Sequence, residues 1–264
     1  MITVETYPSL REAAQASRGA SFLGGGTLLM RAVNYAEEGL ERLVRTTDPT
    51  LKEIRRDGSR IVIGAGVTMA DVIRSQELEF LSSAARAVGG PAIRSAATVG
   101  GNLFANHPYG DFAVALLALD TFVVTVENQE IPLEQFLSGR DTFNGLVQSV
   151  LVAPAERGSL KFLKVSRVKP KGVSMMSIAV RLPPIGGRVQ NARIAFGAMG
   201  PTPLRAKAAE AALEGQSLSD NTIEAAARVI TQDLQPQDDP IASSWYRREV
   251  AAVHFKRLMQ TGGY

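Results

Sequence analysis

The stretch Phe22-Leu23-Gly24-Gly25-Gly26-Thr27-Leu28 reads as a strand running into three glycines and then a helix. Glycine permits positive φ and lets backbone approach a ligand closely. Amide N–H groups left unpaired between strand and helix make a nest for phosphate oxygens, and the Thr27 hydroxyl adds a donor. No lysine follows in register, so the stretch is neither a P-loop nor a Gly-x-Gly-x-x-Gly fingerprint. Taken alone, it is more commonly a plain turn. A second small-residue stretch, Thr98-Val99-Gly100-Gly101-Asn102, comes after a glycine- and alanine-rich passage and offers amides, a hydroxyl and a carboxamide. Nine residues later Asp111 opens an apolar helix, where its plain role is an N-cap. Two such loops in one domain point to a long ligand with a central diphosphate, such as a dinucleotide.

Around these loops the N-terminal half alternates strands and helices. Strands are expected near residues 2–4, 20–23, 43–46, 60–63 and 121–126. Helices are expected near 9–17, 28–36, 68–74, 80–88 and 111–119. Ser9 with Glu12 fits a capping box, and Thr68 caps the third helix. Beyond residue 140 strands recur at hairpin-like spacing: 147–152, 160–168, 175–181 and 189–196. Three helices come next, near 203–213, 219–232 and 243–260, the last with Tyr246, Val250 and Val253 on one face. The expected class is α+β, with domains 1–155 and 156–264.

Composition narrows the chemistry. The chain has 264 residues, 45% hydrophobic and 21% charged, enough for one or two domains with their own cores. It contains no cysteine and two histidines, which excludes disulfides, thiolate-ligated clusters and a catalytic thiol within it. A net charge of +3 is too mild to argue for nucleic acid. No signal-like block or apolar run of membrane-spanning length is present, so a soluble cytoplasmic protein is expected. His107, Lys169-Pro170-Lys171 and Arg55-Arg56-Asp57 read as solvated loop residues. His254 reads as an ordinary helix residue, and Trp245 and Tyr246 as core or subunit-contact anchors.

The ordered set of motifs resembles the FAD-binding medium subunit of molybdenum hydroxylases, the group that includes xanthine dehydrogenase and aerobic carbon monoxide dehydrogenase. The resemblance runs through Leu23–Thr27, Ile93–Ala97, Thr98–Asn102, Asp111 and Leu116–Asp120. It continues through Phe162–Arg167, Ala195–Gly197 with Pro201–Pro203, and Tyr246–Glu249. It implies a fold of the vanillyl-alcohol-oxidase type: two α/β subdomains holding FAD, then an antiparallel C-terminal sheet with helices. It places Phe22, Leu23, Gly24, Gly25, Gly26, Thr27 and Leu28 around the diphosphate and ribityl chain. Thr98, Gly101 and Asn102 form the second wall, with Phe104 beside the cofactor and Asp111 accepting from its hydroxyls. Val147 lies against the isoalloxazine and Lys164 approaches the ring. No catalytic or metal-ligating residue is expected.

The resemblance also implies a division of labour. Partner subunits, one large with molybdenum cofactor and one small with two [2Fe–2S] clusters, supply the rest, in a dimer of heterotrimers. This chain passes electrons from the clusters to an external acceptor. The alternative is a stand-alone FAD-dependent oxidase or dehydrogenase of the same broad fold. Two departures stand out: Gly24 where alanine is usual, and Val168 where a second arginine is usual, which alters the charge near the ring.

Overall fold

The computed structural model describes residues 2–168, 172–182, 184–185 and 187–261. The Lys169-Pro170-Lys171 turn therefore lies outside the described residues.

The chain opens with β1 (Thr3–Tyr7), α1 (Leu10–Ala16), β2 (Ser21–Phe22), α2 (Leu29–Asn34) and β3 (Arg42–Thr46). Both crossovers are helical, so the three strands pair in parallel in the order β1-β3-β2, with Phe22 opposite Val44. Ser9 caps α1 through Glu12 N–H. Leu10 and Ala13 on α1 and Val44 on β3 join one buried cluster. The central strand thus fixes where β2 ends, and β2 delivers the glycine turn.

The next segment contains β4 (Ile54–Asp57), β5 (Arg60–Gly64), α3 (Met69–Arg74), α4 (Ser82–Ala87), α5 (Pro91–Arg94), α6 (Val99–Leu103) and α7 (Asp111–Leu117). It ends with β6 (Phe122–Thr125), β7 (Glu130–Pro132), α8 (Leu133–Gly139) and β8 (Val147–Val152). Its strands form an antiparallel sheet in the order β4-β5-β8-β6-β7. One expectation changes here. Arg55-Arg56-Asp57 lies on the edge strand β4, with the outward exposure expected of a charged edge. Residues 147–152 sit at the centre of this sheet, between β5 and β6.

The C-terminal sheet has the order β14-β13-β10-β9. Its strands are β9 (Leu160–Val165), β10 (Met176–Arg181), β13 (Arg193–Gly197) and β14 (Leu204–Arg205). A small pair, β11 (Pro184–Ile185) and β12 (Arg188–Val189), stands apart. Alternation along β10 divides the core. Met176, Ile178 and Val180 face the three helices α9 (Lys207–Leu213), α10 (Asp220–Val229) and α11 (Ser244–Thr261), while Ala179 joins the core of the N-terminal half. Helix α7, buried along its whole length, is packed between the two halves. The buried face of α11 carries Arg247, Ala251, Phe255 and Leu258; Val250 packs partly against the same core, while Tyr246 and Val253 are exposed. Trp245 is 69% exposed and is no core anchor.

Candidate functional site

All the residues proposed for the site, from Phe22 through Lys164, line one cleft of about 2170 Å³. That exceeds the roughly 300–1,000 Å³ of ordinary small-ligand pockets and suits a dinucleotide.

The first wall is built by β2 and the glycine turn that leaves it. Leu23 N–H still belongs to the sheet, donating to Val44 O at 2.7 Å. From Gly24 to Leu28 the N–H groups find no acceptor among the described residues. Gly26 adopts φ +72, where a side chain is strained, and its carbonyl starts α2 by accepting from Met30 N–H. Five consecutive free donors at a cleft wall call for an acceptor-rich partner, since unpaired backbone donors are costly when water is excluded.

The second wall touches the first. A Cβ built on Gly25 would stand 1.8 Å from Ala96 O, and one on Gly24 would stand 3.4 Å from Thr98 Oγ1. The two small-residue stretches therefore meet backbone to backbone. The amides of the second wall, however, are already used. Val99 N–H donates to Val67 O and Gly100 N–H to Ala65 O, anchoring α6 to the segment after β5. Gly101 N–H donates to its cap, Thr98 Oγ1, at 3.1 Å. This wall offers side chains rather than an amide nest. The Asn102 Oδ1 accepts from Ala113 N–H at 3.0 Å, which leaves its NH2 as the free end.

That bond also corrects the plain reading of Asp111. The N-cap position of α7 is Gly110, in the left-handed region, and Asn102 supplies the side-chain cap. Asp111 is buried, and its Oδ2 lies 3.0 Å from Lys164 Nζ. Its Oδ1 accepts from Ser174 Oγ at 2.5 Å. Lys164 Nζ also donates to Ala87 O at 3.0 Å, so one of its three protons remains for the cleft. Phe104 is held by edge contacts with Phe136 and a tilted contact with Phe143. Val147 is buried where β8 begins, opposite the irregularity between Val124 and Thr125.

One residue of another role, His107, also lines this cleft. His107 is no solvated loop residue: its Nε2 lies 2.5 Å from Asp239 Oδ2, and its Nδ1 is buried with no partner among the described residues. Asp239 is held in turn by Arg247, 1% exposed, whose Nη2 lies 2.7 Å away. Arg247 also donates to the carbonyls of Met175, Gln237 and Ala242. Burial alone would raise the Asp239 pKa. The N–H groups of Ala242 and Ile241, with Arg247 and His107, outweigh it and hold the group at about 2. Arg140, also buried, donates to Leu103 O, Ala105 O and Asn106 Oδ1, bracing the chain that leaves α6. Neither arginine carries a local signal. Only the Tyr246–Glu249 motif points toward Arg247.

Gly101 yields a prediction. A Cβ there would meet only Thr98 Oγ1, at 3.0 Å, and a longer side chain would extend into the cleft. Gly101→Leu is expected to lose bound flavin while its melting temperature stays close to that of the flavin-free parent, because leucine also favours the helix. Full flavin content in that variant, read from the visible spectrum, would remove Gly101 from the site.

Among the described residues no group of three metal-ligating side chains occurs, and no helix is long and apolar enough to cross a membrane. A family profile described as FAD binding domain in molybdopterin dehydrogenase matches residues 1–153. A second, CO dehydrogenase flavoprotein C-terminal domain, matches residues 161–261. The carbon monoxide dehydrogenase medium chain of Hydrogenophaga pseudoflava is 26% identical, over 93% of this chain and 90% of that one. The 6-hydroxypseudooxynicotine dehydrogenase complex subunit alpha of Paenarthrobacter nicotinovorans is 29% identical, over 95% and 89%. A solved structure of carbon monoxide dehydrogenase from H. pseudoflava, lacking the Mo-pyranopterin moiety, superposes with a TM-score of 0.90. That match has 26% identity and covers 99% of this chain and 96% of that one.

Proposed function

The chain belongs to the family of FAD-binding domains of molybdopterin dehydrogenases, and from that premise we infer that it is the flavin subunit of a molybdenum hydroxylase. It binds FAD, collects electrons from [2Fe–2S] clusters of a partner subunit and delivers them to an external acceptor. The observation that carries this reading is the run of free amides at Gly24–Leu28, packed against the Ala96–Thr98 backbone inside a cleft of dinucleotide size. The residues present fit the cofactor. An amide nest matches a diphosphate, and the glycine contact leaves no side chain between the walls.

When bound, FAD supplies the two-electron redox chemistry, and the protein supplies position and electrostatics. In this reading the amides of Gly24–Leu28 and the Thr27 hydroxyl hold the diphosphate. Thr98 and the NH2 of Asn102 face it from the second wall, with room left by Gly101. Phe22 and Leu23 lend apolar surface along the ribityl chain, Phe104 packs beside the cofactor, and Val147 lies against the ring. The Asp111–Lys164–Ser174 cluster is prebuilt: Asp111 and Ala87 O hold the ammonium, Ser174 holds Asp111, and the remaining Lys164 proton would be available to the flavin ring. The pairing keeps the cluster near neutral, so it orients the ring without a large field. No side chain is assigned as a general base.

The proposed assembly is a dimer of heterotrimers with a large molybdenum subunit and a small iron–sulfur subunit, placed in the cytoplasm. The working division of this chain is 1–155 for FAD and 156–264 for the C-terminal unit. Exposed Trp245 and Tyr246 are proposed as partner contacts.

Affinity purification of the full chain from its native source tests the assignment. A large molybdenum-containing chain and a cysteine-rich small chain are expected to accompany it. Flavin reduction by a purine, aldehyde or carbon monoxide is expected in that complex and absent from the isolated chain. Full-rate reduction of the isolated chain would contradict the relay role and favour a stand-alone oxidase.

A further inference from the structure

Arg31 lies on α2, just past the glycine stretch, and lines the cleft. Its guanidinium carbon sits 5.6 Å from the ring centre of Tyr35 and 5.9 Å from that of Tyr109. These distances lie within the range of cation–π attraction. Its Nη1 also donates to Tyr109 Oη. Tyr35 belongs to the end of α2, on the first wall. Tyr109 comes from the other side, in the segment between α6 and α7. The contact therefore crosses the cleft, and its partners are 78 residues apart. Among the described residues no carboxylate pairs with Arg31, unlike Lys164, whose charge Asp111 offsets inside the same cleft.

An unpaired guanidinium on the rim of a cleft lined with free amides is placed for an anionic group. We propose that Arg31 and Tyr109 form a clasp over the mouth of this cleft, in which Arg31 adds a positive charge for the diphosphate of the bound dinucleotide. The proposal rests on the reading that the cleft holds FAD. The tyrosines carry the planar guanidinium between their faces and limit its rotamers, so less entropy is lost when it meets a phosphate oxygen. The Tyr109 hydroxyl ties the two walls together. Entry of the dinucleotide requires this tie to open, and its reforming slows release.

The test uses the full chain, stripped of flavin and titrated with FAD, with release followed by the recovery of flavin fluorescence on dilution. Arg31→Gln is expected to weaken FAD binding about 10-fold, the loss of one charge-assisted hydrogen bond, and to flatten the salt dependence of binding. Tyr109→Phe keeps the ring and removes the tie, and is expected to speed both association and release several-fold. Both residues are exposed or half-exposed, so the flavin-free melting temperatures are expected to stay at the parent value. Parental release rates and salt dependence in both variants would overturn the clasp while leaving the flavin assignment standing. The same result is expected if Arg31 serves a phosphate-bearing external acceptor instead. Failure of the parent chain to bind FAD would overturn both the clasp and the reading beneath it.

Discussion

Gly25→Val is expected to abolish FAD retention and to lower the melting temperature together. A Cβ at this position falls 1.8 Å from Ala96 O, 2.8 Å from Ala96 C and 3.3 Å from Ala97 Cα. All three are backbone atoms, so no flexible side chain can move aside. The walls must separate, and with them the amide nest and the Thr98 side. Overpacking at core sites typically costs about 1–3 kcal/mol, and a backbone-on-backbone clash belongs at or above the upper end. The measurement is the ratio of flavin to protein absorbance, with a thermal melt beside it. Measured against the flavin-free parent, the paired loss separates Gly25 from Gly101, where flavin is lost and that stability is kept. A Gly25→Val chain with full flavin content would mean that the two stretches need not touch to hold the cofactor.

Arg247→Met is expected to give the largest loss of stability without altering any residue assigned to FAD. The guanidinium is 1% exposed and joins Asp239 to the carbonyls of Met175, Gln237 and Ala242. Methionine keeps much of the volume and leaves Asp239 without its cation. Breaking a buried pair from one side costs about 3–5 kcal/mol. At about 2–4 °C per kcal/mol for a chain approaching this size, the melting temperature falls on the order of 10 °C. The pH dependence has a definite sign. The Asp239 pKa is held at about 2, below its ordinary 3.8, so its contribution is complete above about pH 4 and is lost as pH falls through about 2. With Arg247 gone the depression shrinks, and the melting temperature of the variant falls less steeply across that window. A variant that melts with the parent at every pH would remove Arg247 from the joint between α11 and the His107 segment.

Local signals carry the parts of this fold that are local. Glycines after an apolar strand announce the first wall, and Ser9 and Thr68 announce their helices through side chains that do cap them. The alternation of 175–181 announces β10, although which face meets which helices comes only with the fold. Tertiary partners decide the rest. The amides at Val99 and Gly100 look free along the chain and are bound to Val67 and Ala65 in space. Asp111 has the position of an N-cap, yet Lys164 and Ser174 claim it while Asn102 caps the helix. Helix α8 lacks a side-chain cap, so no start signal marks it along the chain. Along α11 the apolar stripe misleads by one position, because the most buried residue of that turn is an arginine satisfied by distant carbonyls. Motif resemblance groups the site residues without saying how they meet. The close approach of Ala96 to Gly25 supplies the physical reason that they share one cleft.

Amide hydrogen exchange of the full chain, with and without FAD, tests most directly whether these two stretches hold one dinucleotide. The N–H groups of Gly24–Leu28 have no acceptor among the described residues, so they are expected to exchange fast in the free chain and to slow sharply on addition of FAD. Val99–Asn102, already bonded, are expected to show a smaller gain that saturates at the same FAD concentration. Saturable FAD binding that leaves the 22–28 peptide exchanging at its free rate would contradict the account.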